Sequence, residues 1–372
     1  MVRDECLIDF HALKRFMNDC FEAVGVPQAD AEICADVLIA ADQQGIDSHG
    51  IGRLKSIYID RIRARQIQPR TEIRIVKEGP TTAVIDGGNG LGQVVALRSM
   101  QMAMNKAKRF GMGMVAVRNS NHYGIAGYYV RMAADANTIG ISGTNARPSV
   151  APTFGIEAML GTNPLAFGLP TDEPFPFILD CATSASQRGK IEVYARRKQA
   201  LPPGWVIGSD GQPRTDAEQL LHDLVEGKAA LLPLGGSGET TGGHKGYGYS
   251  TVVEILSASL QGGAFLNALS GRNAAGHPSP LRIGHFFMAV DISAFTEPET
   301  FKKTSGDILR ALRNSRKAPG EECIYTAGER EYRVWTERRN RGVSLDASVQ
   351  KDILDLKSDL GLTQHVFSFE SA

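Results

Sequence analysis

The sequence predicts an α/β protein that opens with a helical unit, and three observations carry that reading. Apolar residues recur every three to four positions through the opening segments, the period of amphipathic helices. From Glu72 onward, short apolar runs alternate with longer amphipathic stretches, as when strands and helices take turns around a sheet. Gly, Pro and Asn punctuate most of the junctions. With 372 residues, 42% of them hydrophobic, the chain has ample material for two units.

Over 9–24 the residues Phe10, Leu13, Phe16, Met17, Cys20, Phe21 and Val24 line one helical face, and Gly25 and Pro27 end the run. A second helix is expected over 29–44, with Ile33, Val37, Leu38 and Ala41 on one face and Gly45 as its stop. A third starts after Gly52, passes through Leu54, Ile57 and Ile62, and breaks near Pro69. Residues 1–70 thus read as a helical N-terminal unit, joined by the C-terminal segment 340–372 with a final helix over 347–360. Residues 71–339 read as an α/β domain that binds cofactor and substrate.

That domain starts with strands over 72–77 and 81–85 around Glu78-Gly79-Pro80, a hairpin composition. The glycine-rich run 86–92 leads into a helix marked by Val94, Val95, Leu97, Met100, Met104 and Ala107 and closed by Gly111. A strand over 114–117, a helix over 125–136 and a strand over 139–143 follow. After a loop over 144–161 come a strand over 175–179 and a helix-like stretch over 182–195. Residues 196–241, containing LPPGW, GSDGQP and LPLGGSGETTGG, read as a loop-rich excursion over the surface and a candidate cofactor lid. A helix over 250–261, a polar loop to Pro280, a strand over 282–292, a helix over 298–315 and a turn over 317–321 complete the domain.

Charge is balanced, 41 basic against 41 acidic residues, so nothing favours nucleic acid or an anionic membrane, and a small-molecule partner is expected. Cys6, Cys20, Cys34, Cys181 and Cys323 are odd in number and form no CxxC pair, which argues against disulfides or zinc and for a reducing cytoplasm. The N-terminal MVRDECLIDFHALKRF is charged throughout and reads as no secretory signal. No apolar run approaches the ~18 residues that span a bilayer.

No Gly-x-Gly-x-x-Gly turn of the dinucleotide-binding kind is present: the glycines of 87–92 have the wrong spacing, and no acidic residue ends a strand about 20 positions later. A dinucleotide would therefore bind on something other than the usual Rossmann crossover. In Asp47-Ser48-His49-Gly50-Ile51-Gly52-Arg53 the arginine can grip a carboxylate through a bidentate fork while Ser48 and His49 orient a substrate; the alternative is a helix start with a solvated Arg53. His122, in Asn119-Ser120-Asn121-His122-Tyr123-Gly124, lies between a strand and a helix, where α/β sheets place ligands; it reads as a general acid/base or as a structural loop histidine. Asp180, at a strand end, could orient a histidine, bind a ribose hydroxyl or cap the next helix. His244 and Lys245, among glycines before a helix, suit a phosphate or form a hinge. His11 and His285 read as packing residues, and His222, His277 and His365 as surface residues. No metal-binding spacing is present, so no metal is expected.

The ordered set DSHGIGRL, NSNHYGIAGYY, LGTNPLAFGLP, ILDCATS and GGHKGYGYS resembles the type 2 malate/L-lactate dehydrogenase family, which also includes sulfolactate, ureidoglycolate and diketogulonate oxidoreductases. Matching segments run from Ile8 to Arg339. The resemblance implies a non-Rossmann, sulfolactate dehydrogenase-like fold, a mixed sheet flanked by helices. It implies NAD(P)-dependent oxidation of a small 2-hydroxy acid, in a homodimer with active sites near the subunit interface. By that likeness Ser48, His49 and Arg53 line the substrate pocket, and His122 is the favoured proton-transfer residue with His49 as the second candidate. Asp180 joins them as a catalytic candidate through its neighbourhood. Cofactor contacts carry over to Thr162, Asn163 and Pro164, to Asp180, Cys181 and Ala182, to His244, Lys245 and Gly246, and to Pro319, Gly320 and Glu321. Arg147 stands near a basic position that polarises the substrate oxygen in relatives, and it would suit a second carboxylate. Ile57 departs from a family aromatic, and the adjacent Tyr58 is expected to point elsewhere on its helix. Malate with NAD is the first choice, with NADP as the alternative cofactor. The alternatives are another 2-oxo acid (lactate, sulfolactate, ureidoglycolate or diketogulonate type), a cyclic imino acid, or a non-catalytic NADH-binding protein.

Overall fold

The computed structural model describes residues 7–371, so Cys6 and the first residues read for a leader lie outside it. In chain order the elements are β1 (Leu7–Ile8), α1 (Phe10–Ala23), α2 (Gln28–Gln43), a 3-10 turn (Ile51–Arg53) that runs through a π-helix (Leu54–Ile59) into α3 (Asp60–Arg63), β2 (Arg74–Glu78), β3 (Thr82–Asp86), α4 (Gly92–Phe110), β4 (Met112–Ser120), α5 (Ala126–Asp135), β5 (Thr138–Thr144), β6 (Leu165–Leu169), β7 (Phe177–Cys181), α6 (Arg188–Arg196), β8 (Val206–Gly208), α7 (Ala217–Glu226), β9 (Ala229–Leu231), α8 (Gly243–Ala258), β10 (Ile283–Asp291), α9 (Pro298–Arg313), α10 (Glu329–Arg338), β11 (Val343–Ser344) and α11 (Ala347–Leu360).

Helix α1 starts where Asp9 accepts the Ala12 N–H at 3.0 Å, and its predicted apolar face is buried. That face joins one apolar cluster with Cys34 and Leu38 of α2, Tyr58 and Ile59 of the π-helix, and Ile353 and Leu356 of α11. The two chain ends meet there, because β1 pairs antiparallel with β11.

The larger sheet has seven strands in the order β2-β3-β4-β10-β5-β6-β7. Only β3 and β4 run parallel, joined by α4; the other neighbours are antiparallel, so the sheet is mixed. Side chains alternate across β10. Phe287 and Ala289 share a core cluster with α4 and α5, while Gly284 backs onto the Ser257 carbonyl of α8. Helices α4 and α5 therefore cover one face and α8 the other.

Four sequence expectations change. Strand β6, next to the edge strand β7, lies inside LGTNPLAFGLP, where Gly168 weakens the strand signal; its Cα sits so close to α5 that a Cβ would fall 2.2 Å from the Val130 carbonyl oxygen. Within 196–241 the chain forms β8, α7 and β9, and Leu201, Val206, Leu220 and Leu231 pack with Ile191 into a small core of their own. Helix α7 is capped by Asp216, which accepts the Gln219 N–H at 3.1 Å. Helix α10 has no counterpart in the sequence expectations, and α8 begins at Gly243 rather than at 250, so GGHKGYGYS forms its first turns. Among the described residues no helix is long and apolar enough to cross a membrane.

Candidate active site

Strand register brings the motif loops to one edge of the sheet. Ser120, the last residue of β4, pairs with Ile283; Thr144, the last of β5, pairs with His285; Leu165 pairs with both Gly143 and Cys181. The loops after 120, after 144, before 165 and after 181 thus open side by side. The glycine-rich run before α4 serves this edge by close approach: a Cβ on Gly92 would lie 2.2 Å from the Asn121 carbonyl oxygen. Those glycines seat the His122 loop.

The helical segments bring His49 to the same place. Gly50 lies on Asp42 of α2, whose Oδ1 would be 1.8 Å from a Cβ there, and Asp42 accepts the Ile51 N–H at 2.9 Å. Arg338 of α10 donates to the Asp42 carbonyl and to the Asp47 carboxylate, each at 2.6 Å. So held, the His49 ring stacks on His122 with centroids 5.7 Å apart and planes 21° from parallel. Ser48 Oγ is 2.8 Å from His49 Nδ1, and Arg53 Nε donates to the Ser48 carbonyl at 2.5 Å. The remaining Arg53 nitrogens have no acid partner among the described residues, and Gly189 at the start of α6 approaches them.

His122 is anchored from the other side. Its Nδ1 is 2.6 Å from the Tyr58 hydroxyl and accepts the Gly124 N–H at 3.3 Å. A backbone N–H can only donate, so in the neutral ring the proton sits on Nε2; this tautomer is inferred from the hydrogen bonds. A hydroxyl can reverse its role, so Tyr58 can also accept from Nδ1 when that nitrogen carries a proton. Tyr58, expected from the resemblance to point elsewhere on its helix than the family aromatic, meets His122. Tyr58 is fully buried in the π-helix, while Ile57 packs partly buried against the apolar cluster of the helical segments.

Both imidazoles are held neutral. Burial, then the Arg53 charge, lowers His49 to about 4. Burial, then the charges of His49, Arg53 and Arg61, pushes His122 well below the ordinary histidine range. His285, fully buried in β10, has both nitrogens occupied, by Thr144 at 2.7 Å and Ser120 at 2.8 Å, and stacks on Tyr123, in keeping with a packing role.

Asp180 accepts the Gly127 N–H at 2.7 Å, so it caps α5 rather than the helix that follows it in sequence, and no hydrogen bond joins it to either histidine. Burial raises its carboxyl to about 6. It lines a cavity of about 310 Å³ with Ile125, Gly127, Phe175, Tyr325 and Tyr332. Thr162, Asn163 and Pro164 adjoin Cys181 and Ala182, because the Thr183 hydroxyl donates to the Asn163 carbonyl at 2.9 Å. Asn163 is buried in a left-handed turn (φ 35°), with Nδ2 on Glu254 and Oδ1 without a partner. His244 and Lys245 are exposed in the first turn of α8, and Gly246 packs beneath them on Leu234, whose N–H donates to the Thr183 carbonyl. Pro319, Gly320 and Glu321 lie in an exposed turn in which the Glu321 N–H donates to the Ala318 carbonyl at 3.1 Å. Arg147 is exposed beside Asn121 at the mouth of a second cavity.

The residues that sequence reasoning missed are Tyr58, Gln187 (Nε2 3.5 Å from Ser48 Oγ), Asp42, Arg338 and Arg61. Their places depend on long-range packing, for which local pattern carries no signal.

The family model for malate/L-lactate dehydrogenase matches residues 8–354. The chain belongs to that family. It is a dehydrogenase of hydroxy acids that works with a nicotinamide cofactor. Within the family, it is 44% identical over 339 residues to malate dehydrogenase of Pyrococcus horikoshii, covering 91% of each chain. It is 40% identical over 352 residues to L-sulfolactate dehydrogenase of Methanocaldococcus jannaschii, covering 94% of this chain and 96% of that one. The crystal structure of malate dehydrogenase from Entamoeba histolytica superposes with a TM-score of 0.93 at 45% identity, over 96% of this chain and 99% of that one. The fold is therefore the sulfolactate/malate dehydrogenase fold that the sequence motifs imply.

Proposed function

We propose that this protein interconverts malate and oxaloacetate, and that the His49–His122 stack beside Arg53 is where the chemistry occurs. The observation that carries the proposal is the juxtaposition itself: two imidazoles 5.7 Å apart, next to a guanidinium with no acid partner. Arg53 receives the substrate's C1 carboxylate in a bidentate grip. Binding that anion offsets the Arg53 charge that depresses both histidines and so raises their basicity. In the oxidative direction the neutral ring takes its other tautomer, its proton on Nδ1 donating to the Tyr58 oxygen, so that bare Nε2 accepts the C2 hydroxyl proton and the ring becomes imidazolium; in reduction Nε2–H returns that proton to the substrate oxygen. His49 and Ser48 hold the substrate oxygen and close the pocket with Gln187. A bound nicotinamide cofactor would supply the acceptor for the C2 hydride. The cofactor would be held by Asp180, Cys181 and Ala182, by Thr162, Asn163 and Pro164, with Asn163 Oδ1 a buried acceptor still to be satisfied, and by His244, Lys245 and Gly246. The Pro319–Gly320–Glu321 turn is the outermost contact of that set.

NAD is proposed as the cofactor. A homodimer is proposed because α8 and the loop after it leave Tyr249, Val252, Ile255 and Phe265 exposed, an apolar face suited to a second copy. Cys20, Cys34, Cys181 and Cys323 are unpaired, which suits a reducing cytoplasm. The test is turnover of malate, lactate and sulfolactate with NAD and with NADP, followed by absorbance of the reduced nicotinamide. Malate with NAD should give the highest kcat/KM. Cofactor binding without turnover of any acid would contradict the proposal.

A further inference from the structure

The loop that carries Ser48 and His49 is held by an element far from it in sequence. Helix α10 begins after Gly328 (φ 88°), whose Cα lies so close to β7 that a Cβ would fall 2.9 Å from the Pro176 carbonyl oxygen. Two further contacts fix that end: the Ile178 N–H donates to the Ala327 carbonyl at 3.4 Å, and the Tyr332 ring stacks on Phe175 with centroids 5.1 Å apart. Within the helix Arg333 donates to Glu329, four positions earlier, at 2.7 Å. The start of α10 is thus docked on the strand that ends in Asp180 and Cys181.

The other end of α10 reaches the histidine loop. Val334 packs on the turn after α2, where a Cβ on Gly45 (φ 75°) would lie 2.9 Å from its Cγ1. One helical turn later, Arg338 Nη1 donates to the Asp42 carbonyl and to Asp47 Oδ1, and Nη2 donates to Asp47 Oδ2 at 3.2 Å. The first bond caps the C-terminus of α2; the other two make the fork that a guanidinium offers a carboxylate. Asp47 adjoins Ser48, and the Asp42 side chain accepts the Ile51 N–H, so one guanidinium grips the loop ahead of His49 and, through Asp42, behind it. Between these grips the Ser48 carbonyl holds Arg53 Nε, and Ser48 Oγ meets His49 Nδ1. The Asp47 side chain is 58% exposed, and an ion pair so exposed contributes little to global stability. Its effect lies in where it sets the loop.

We infer that Arg338 is a positioning residue for substrate binding: from a helix docked on β7 it fixes the 47–51 loop, and with it Arg53 and His49, relative to the strand that bears the cofactor contacts. This rests on the proposed function, with Arg53 taking the carboxylate. Arg338 acts through Asp42 and Asp47 and not on the substrate. The Arg53 grip is made in the ground state and the transition state alike, so loosening it raises KM more than it lowers kcat. Asp47 acts only through Arg338, so its loss adds nothing once Arg338 is gone.

The experiment measures kcat and KM for malate at saturating cofactor in the wild type, Arg338→Gln, Arg338→Lys, Asp47→Asn and the double variant Asp47→Asn/Arg338→Gln. Binding of the reduced nicotinamide, followed by its fluorescence, and amide hydrogen exchange of residues 46–53 are read on the same proteins and need no turnover. The inference expects KM to rise about tenfold in Arg338→Gln, from the loss of charge-assisted hydrogen bonds, with kcat within about threefold of the wild type. Cofactor affinity should stay within about twofold, and exchange should speed up in 46–53 alone. Asp47→Asn should show a smaller rise, because the bond to the Asp42 carbonyl survives; Arg338→Lys should recover part of the loss, and the double variant should match Arg338→Gln. An unchanged KM in Arg338→Gln would overturn the inference, as would a double variant whose rise is the product of the two single ones. A rise in KM with an equal loss of cofactor affinity would overturn it too, because the arginine would then hold the fold as a whole. A wild type that turns over no hydroxy acid would defeat the functional reading instead. Faster exchange confined to 46–53 in Arg338→Gln would then still support the grip on the loop, and unchanged exchange would overturn it.

Discussion

The two histidine loops meet ring on ring, yet they are held in different ways. His49 sits on a loop fastened by side chains: Asp42 beneath Gly50, Arg338 across Asp42 and Asp47, and a single hydroxyl, Ser48, at its Nδ1. His122 sits at a strand end seated by backbone contact with Gly92, and its Nδ1 is committed to Tyr58 and Gly124. His122 is therefore fixed in place with one nitrogen free for chemistry, while the setting of His49 depends on groups that can rearrange. On this difference rests the proposal that His122 transfers the proton and His49 positions the substrate.

The largest expected effect breaks that division outright. His122→Ala should lower kcat by about 10²–10⁴, the usual worth of a positioned acid/base, as steady-state turnover with malate would show. Arg53→Lys should come next, with kcat/KM down about 10–100-fold because an ammonium cannot reproduce the bidentate grip; parallel assays with the wild type check it. Tyr58→Phe sharpens the comparison further. Losing a hydrogen bond to a group that becomes charged should cost about tenfold in kcat, and the pH profile of kcat should move while the KM for malate changes little.

Smaller effects appear in stability. The pKa of His49 is lowered in the folded state, so its contribution to stability is present above the ordinary histidine value near 6.5 and is lost as pH falls towards about 4. Asp42 behaves in the opposite sense. Burial raises its carboxyl to about 8, so its contribution is present below the ordinary carboxyl value and is lost as pH rises through about 8. In Asp42→Asn, thermal denaturation across pH should show the alkaline loss flattened and the acid loss retained.

The elements that carry the site were legible wherever sequence pattern and function coincide. Ser48-His49-Gly50 and Asn121-His122 stand at junctions that local periodicity marks, and the two rings stack where the helical segments meet the sheet edge. Other parts were not legible because their causes are not local. Tyr58 meets His122 across 64 residues of sequence, a contact that no local period reports. Strand β6 depends on Gly168 letting α5 come close, which reads locally as a break. Asp180 lies where expected along the chain but caps α5, a partner that only the tertiary fold supplies.

The most direct test is rapid mixing of malate with the cofactor-loaded enzyme, following formation of reduced nicotinamide across pH in His49→Ala and His122→Ala. If His122 carries the proton, the pH dependence of the hydride step survives in His49→Ala and disappears, with the rate greatly reduced, in His122→Ala. A pH-dependent hydride step at the wild-type rate in His122→Ala would contradict it.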